Sequence, residues 1–271
     1  MTVVIDMQYE FISLTQLTPY IGAEISGIDI TQPLDKTVIK EIRAALLEHQ
    51  VIFFRDQDFD PASLKRFGMY FGRLHIHSGM KGMDEYPEVR ALSADENSKH
   101  VSGEVWHTDL SCDPVTPMGS ILNIKVLPPV GGDTVFASMY AAYDQLSERM
   151  KTYLEGLTAT HDGGLAFKRF NTHKEYNISS HPVIRPHSET GRKTIYVNRG
   201  FTSHINELPE REGKAILTYL FEHCEKPEYQ VRFRWQKNSV AFWDNRCTQH
   251  LALWDYFPHK RSGIRVQIEG E

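Results

Sequence analysis

Apolar residues along this 271-residue chain follow two kinds of pattern, and the order of those patterns sets the expected fold. Helical spacing comes first. After Asp35, a residue suited to capping, Val38, Ile39, Ile42, Ala45 and Leu46 form one stripe and predict a helix through about Gln50. The apolar run Val51–Phe54 follows at once and reads as a buried strand. Asp60 before Pro61 pairs a cap with a proline at the first helical position, predicting a short helix to about Phe71. The clearest helical signal opens at Ser138, where Met139, Ala142, Leu146, Met150 and Leu154 recur on one face.

The second half is richer in strands. Residues 193–198 alternate after a turn-forming stretch at 188–192. Residues 231–235 and 239–243 are strand-like runs parted by a Lys-Asn turn, and 264–268 alternates again near the end of the sequence. Residues 206–224 read as a helix between strands. Many short strands with a few helices predict a mainly β architecture with flanking helices, a barrel or sandwich and not a βαβ sheet. No repeat or composition shift marks a linker, so residues 1–271 read as one domain.

Composition narrows the function classes. A formal net charge of -5 argues against a nucleic-acid partner, which usually leaves a basic face. No stretch reaches the roughly 18 apolar residues that span a membrane, and residues 1–10 lack a basic leader region. Cys112, Cys224 and Cys247 are odd in number and widely spaced, which argues against a disulfide framework. The expectation is a reduced, cytoplasmic protein. There is no Gly-rich phosphate loop and no Gly-x-Ser-x-Gly elbow, which argues against nucleotide-dependent and serine-hydrolase chemistry.

The sharpest chemical signal is His107-Thr-Asp109. In a strand, residues two apart share a face, so an imidazole and a carboxylate can meet at one point. His250, just beyond the 239–243 strand, offers a third ligand. Two histidines and one carboxylate leave open positions on a metal, as in non-heme iron(II) oxygenases. Zinc accepts the same residue types, and the chain's other histidines dilute the signal. Arg261 and Arg265, four apart, share a side in an extended segment and suit a carboxylate-bearing ligand through fork-like hydrogen bonds.

Six motifs in order carry a family resemblance: Ile21-Gly-Ala-Glu-Ile-Ser-Gly-Ile-Asp29, Val51-Ile-Phe-Phe-Arg-Asp-Gln57, Phe71-Gly-Arg-Leu-His-Ile-His77, Trp106-His-Thr-Asp109, Gly131-Gly-Asp-Thr134, and Trp243 through His250 with the Arg261/Arg265 pair after it. Across nearly its whole length the chain resembles the taurine dioxygenase and 2,4-dichlorophenoxyacetate dioxygenase family. The resemblance implies a double-stranded β-helix, or jelly roll, that uses Fe(II), 2-oxoglutarate and dioxygen. It implies His107, Asp109 and His250 as the catalytic metal ligands. Thr134 and Arg261 would take the far carboxylate of 2-oxoglutarate, and Arg265 and His77 the anionic head of a small organic substrate. Phe201 and Phe167 are candidates for an apolar wall beside that substrate. Residues 163–180 are a candidate lid, and the family implies a homo-oligomer, dimer or tetramer.

The reaction implied is hydroxylation of a substrate carbon coupled to decarboxylation of 2-oxoglutarate to succinate. The substrate class implied is a taurine-like sulfonate or related organic acid, with an alkyl sulfate or aryloxyalkanoate as the alternative. Three departures count against taurine itself. Gly103 stands where taurine enzymes carry an asparagine, Cys112 where they carry a phenylalanine, and residues 78–81 lack their tyrosine. Glu104 is a candidate substitute for the lost amine partner, or a solvated glutamate. A zinc hydrolase on the same ligands leaves Thr134, Arg261 and Arg265 without a role. A binding protein on a decayed scaffold would be expected to lose a ligand.

Overall fold

Val51–Phe54 is buried at all four positions because it lies inside a sheet with a packed layer on each face. In the computed structural model, which describes residues 9–76, 82–170 and 175–270, this strand is third in a seven-stranded sheet. The order is Ser13–Gln16, Ala23–Ser26, Val51–Phe54, Val240–Asp244, Gly119–Val126, Arg261–Ile268 and Arg90–Ala94. Neighbours are antiparallel except Ala23–Ser26 and Val51–Phe54, which run parallel because helix Lys36–His49 carries the chain back between them.

Alternation then sends side chains to opposite faces. Ile52, Phe54, Val240, Phe242, Ile264 and Val266 pack against helices Lys36–His49 and Pro61–Met69. Val51, Phe53, Leu122, Ala241 and Trp243 face the other way, onto Phe136, Val231 and Phe233. Those three belong to a smaller sheet ordered Gln230–Phe233, Thr134–Ser138, Thr248–Ala252. Two sheets packed face to face give the expected jelly roll. A further core, built on Met139, Leu154, Ala159, Leu217 and Leu220, joins the back of the small sheet to helix Glu210–Cys224.

Several elements differ from their expected bounds. The helical signal after Ser138 is two helices, Met139–Asp144 and Glu148–Leu154. Ser147 ends the periodic stretch by capping the second helix, its hydroxyl accepting from Met150 N at 3.2 Å. Asp35 occupies its N-cap position without a capping hydrogen bond, whereas Asp60 and Ser63 form a full capping box. The helix expected from 206 starts at Glu210, after Pro209. Lys193–Ile195 is the ordered part of the 193–198 alternation. The strands either side of the Lys-Asn turn enter different sheets and are not a hairpin. Among the described residues, no helix is long and apolar enough to cross a membrane.

Candidate active site

His107 and Asp109 converge by a different route from the one strand alternation predicts. His107 is not in a named strand but forms an isolated antiparallel bridge with His250. The His107 amide donates to the His250 carbonyl at 3.1 Å, and the His250 amide returns a bond to the His107 carbonyl at 2.8 Å. The chain then turns at Leu110, whose φ is 49°. His107 Nε2 stands 3.6 Å from Asp109 Oδ1, and His250 Nε2 stands 4.0 Å from the same oxygen. The two imidazole rings lie 4.1 Å apart, and one ligand atom from each of the three residues falls within 4.8 Å of the others.

Each of the three is held in place. The Val105 carbonyl can only accept, so His107 Nδ1, 2.8 Å away, carries the proton and Nε2 presents its lone pair to the cluster. Asp109 Oδ2 accepts from Ser120 Oγ at 2.7 Å, Ser120 accepts from Asn245 Nδ2 at 3.1 Å, and Asn245 Oδ1 accepts from Trp243 Nε1 at 2.9 Å. The His250 ring sits between Phe136 and Trp243. Gly200 is required beside His107, because a Cβ there would come within 2.8 Å of the His107 Cβ.

Charge favours metal binding. Burial alone would raise the Asp109 carboxyl, but Arg265, His107 and His250 outweigh it and hold Asp109 well below the ordinary carboxylate range. Burial, then the neighbouring His107, pushes His250 far down and keeps it neutral. An ionised carboxylate with neutral imidazole is the protonation pattern a metal site needs.

Two cavities meet at His107 and Arg265. The inner one runs past His250 to Thr134 and Arg261. Trp235 Nε1 donates to Thr134 Oγ1 at 3.0 Å, and an Arg261 amino group lies 3.5 Å from the same oxygen. Both are obligate donors, so the Thr134 hydroxyl proton is left to point at an acceptor. Arg261 Nε and Arg265 Nε are buried without a hydrogen-bond partner among the described residues. A ligand bearing carboxylate oxygens would satisfy such donors.

The outer cavity is walled by Phe167, Phe170 and Phe201 and carries Arg90, Arg169 and Arg265. Arg265 differs in one respect from its expected role: it binds Asp109 Oδ1 at 3.2 Å while facing this cavity. His77 lies outside the described residues. Gly103 lines both cavities, with φ at 89° and its Cβ position 3.2 Å from the His107 ring. Cys112 is set behind the wall, packed with Ala166 and Phe201. Glu104 is a half-buried partner of Arg169 at 2.9 Å and of His100 at 3.0 Å, neither a solvated glutamate nor free to receive an amine. Within 163–180, Gly163–Phe167 and Lys168–Phe170 are short helices over the cavity, while Ile178–Pro182 is a strand paired with Thr158–Asp162.

Ser120, Asn245, Trp235, Arg90 and Arg169 escape the sequence reading. Asn245 lies within the Trp243–His250 motif but shows no role there, the other four carry no local motif, and each reaches the site through long-range strand pairing, a turn or a short helix.

Comparison with known proteins gives the family. The family described as taurine catabolism dioxygenase TauD, TfdA matches residues 13–267. The chain belongs to this family. An alkylsulfatase of Acinetobacter baylyi is 32% identical over 286 residues, covering 100% of this chain and 89% of its own. A Pseudomonas putida α-ketoglutarate-dependent sulfate ester dioxygenase is 32% identical, covering 93% of this chain and 87% of its own. The crystal structure of a taurine dioxygenase from Burkholderia xenovorans superposes with a TM-score of 0.85 at 35% identity, over 97% of this chain and 92% of that one. The chain is thus an oxidoreductase of the α-ketoglutarate (2-oxoglutarate)-dependent dioxygenase class.

Proposed function

We propose that this protein is an Fe(II)- and 2-oxoglutarate-dependent dioxygenase that hydroxylates a small anionic organic substrate. The observation that carries the reading is the junction of two cavities at a buried His-Asp-His cluster, each cavity supplied with arginine. His107 Nε2, His250 Nε2 and one Asp109 oxygen would hold the metal, with Ser120 and Val105 fixing their directions. Thr134 Oγ1 and Arg261 would bind the far carboxylate of 2-oxoglutarate in the inner cavity, Thr134 as donor because Trp235 and Arg261 occupy its oxygen. Iron(II) with 2-oxoglutarate and dioxygen supplies the oxidising power, leaving succinate and carbon dioxide.

The chain's remaining task is placement. Arg265 anchors the substrate anion, with His77 as a second contributor. Phe201 and Phe167 exclude water from the substrate side. The short helices over residues 163–170 act as the cover of that side, tethered through Arg169 to Glu104. Thr134, Arg261 and Arg265 have no task in a zinc hydrolase, which is why the oxygenase reading is preferred. The substrate class is a sulfonate, a sulfate ester or a related organic acid, in keeping with the substrates for which the relatives are named. Oxygen uptake with Fe(II) and 2-oxoglutarate across taurine, alkanesulfonates, alkyl sulfates and aryloxyacetates tests this. Uptake stimulated by one class supports the reading and names the leaving group; hydrolysis of a sulfate ester without oxygen or 2-oxoglutarate refutes it.

A further inference from the structure

Asn198 is buried, and each of its polar atoms has a partner. Its amide donates to Thr202 Oγ1 at 2.9 Å, and its carbonyl accepts from Thr202 N at 3.0 Å. The side-chain oxygen accepts from Phe201 N at 2.9 Å, and because a backbone amide can only donate, this fixes which way the carboxamide points. Nδ2 therefore faces Ser111 Oγ, 3.0 Å away. With that oxygen accepting from Asn198, the Ser111 proton goes to His161 Nδ1 at 2.9 Å. Nε2 of the same imidazole lies 3.5 Å from Thr202 Oγ1. Asn198, Ser111, His161 and Thr202 thus close a ring, and all are buried.

The ring joins parts of the site that have separate supports of their own. Asp109 is held through Ser120, Asn245 and Trp243, and His107 by the Val105 carbonyl. Strand Thr202–Ile205 is held by pairing with Thr158–Asp162. Neither support fixes the ligands relative to the cavity wall. Residues 198–201 do so by gripping segment 106–111 on both sides of the two ligands. Gly200 N donates to the Trp106 carbonyl at 3.0 Å ahead of His107, and Asn198 reaches Ser111 beyond Asp109. Phe201 then lines the outer cavity, its ring centre 6.4 Å from that of His107. Its carbonyl accepts at 2.7 Å from the amide of Asp162, the residue that caps helix Gly163–Phe167. A fully satisfied buried network is rigid, and a reacting carbon misplaced by about 1 Å can cost roughly 100-fold in rate.

We infer that Asn198 is a positioning residue for hydroxylation: through Ser111 and the Phe201 amide it sets the substrate wall against the metal-bearing turn. The inference rests on the proposed function for the reaction it serves. Asn198 lines neither cavity and acts only through its neighbours. Its loss leaves the ligands and the arginines in place and changes how the wall stands over them. The signature is therefore uncoupling, in which 2-oxoglutarate is still consumed and the substrate carbon is missed.

The test compares Ser111→Ala and Asn198→Ala with the wild type by two readouts. The first is turnover of hexyl sulfate in air with Fe(II) and 2-oxoglutarate. Hydroxylation of the carbon bearing the ester oxygen lets hexanal and hydrogen sulfate part, so sulfate counts hydroxylation and succinate counts co-substrate use. The wild type should release the two in step. In Ser111→Ala, succinate should stay within about threefold of wild type while sulfate falls to about a third of succinate or less. Asn198→Ala, which also frees the Phe201 amide, should fall further. The second readout needs no substrate. It is the fluorine resonance of fluorinated Phe201, assigned with Phe201→Leu, whose shift between Co(II)- and Zn(II)-loaded protein depends on its placement relative to the metal. That shift should change in both variants while the shift of Phe136, beside His250, holds. An unchanged Phe201 shift overturns the inference. So does a Phe136 shift that changes with it, which would mean that the metal cluster itself has loosened. Sulfate that keeps pace with succinate in Ser111→Ala overturns it as well. If Asn198→Ala does not fold, Ser111→Ala decides; if the wild type leaves hexyl sulfate intact, the fluorine shifts decide. A change confined to Phe201 in a protein that never makes succinate would refute the proposed reaction and leave the positioning geometry standing.

Discussion

His107, Asp109 and His250 can be picked out of the sequence because ligand chemistry restricts residue type; what holds them cannot. Ser120 sits eleven residues from the carboxylate it bonds, and Trp235 lies 101 residues from Thr134. Both contacts depend on which strands pair, information that no local window contains. The arginines show the same limit in another form. Spacing places Arg261 and Arg265 on one side, yet it takes the strand register to reveal Arg90 as the residue opposite Arg265. Arg261 also supplies a direct test of the inner cavity. Truncating a buried charged partner costs about 2–5 kcal/mol, so Arg261→Ala should raise the 2-oxoglutarate concentration for half-maximal rate by roughly 30-fold or more. Steady-state kinetics with 2-oxoglutarate varied would show this, and an unchanged requirement would remove Arg261 from the co-substrate site.

Between residue and molecule, the decisive element is the turn joining Val240–Asp244 of the large sheet to Thr248–Ala252 of the small one, since it delivers His250. Asp244 anchors this turn. Its carboxylate accepts from Arg246 at 2.9 and 2.6 Å and lies 3.0 Å from His187 Nε2. His187, Asp244 and Cys247 also sit close enough to suggest a second metal set. Arg246 already occupies both oxygens of that carboxylate, so the cluster is read as a structural anchor. Asp244→Asn removes one of the two carboxylates paired with Arg246, Glu189 remaining at 2.6 Å, and should destabilise the fold by about 1–3 kcal/mol, measurable by urea denaturation. A loss near zero would make the turn independent of this pair. One connection earlier, the strands before and after Lys237-Asn238 are readable from alternation, but the crossing between sheets there is not, because a two-residue Lys-Asn break looks the same in a hairpin and in a crossover.

At the scale of the molecule, mainly β character with flanking helices is legible from the order of the two periodicities, and the jelly roll from the ordered motifs. The division into two cavities is not, as it arises only when both sheets close over the cluster. Buried polar groups away from the cluster set the acid response. His161 is fully buried and accepts at Nδ1 from Ser111, which in turn accepts from Asn198; burial, then His181, lowers it from 6.5 to about 3. Unfolded chains take up that proton near pH 6.5 and the folded protein does not, so the stabilisation is complete above 6.5 and declines as pH falls toward 3. Asp244, also lowered despite its burial by Arg246 and His187, adds a second loss at still lower pH. The melting temperature should fall on going from pH 7 to pH 5, and His161→Gln should flatten that slope; an identical slope in the variant would remove His161 as its cause.

The central claim, that His107, Asp109 and His250 hold the metal on which 2-oxoglutarate is consumed, is tested most directly by succinate production from 2-oxoglutarate in air. The assay compares the wild type with Asp109→Ala, each supplied with Fe(II) and the anionic panel. Succinate should appear in step with oxygen loss in the wild type, only when both Fe(II) and 2-oxoglutarate are present, and stay at background in the variant. Undiminished succinate from Asp109→Ala, or none from the metal-loaded wild type with any anion, would contradict the account.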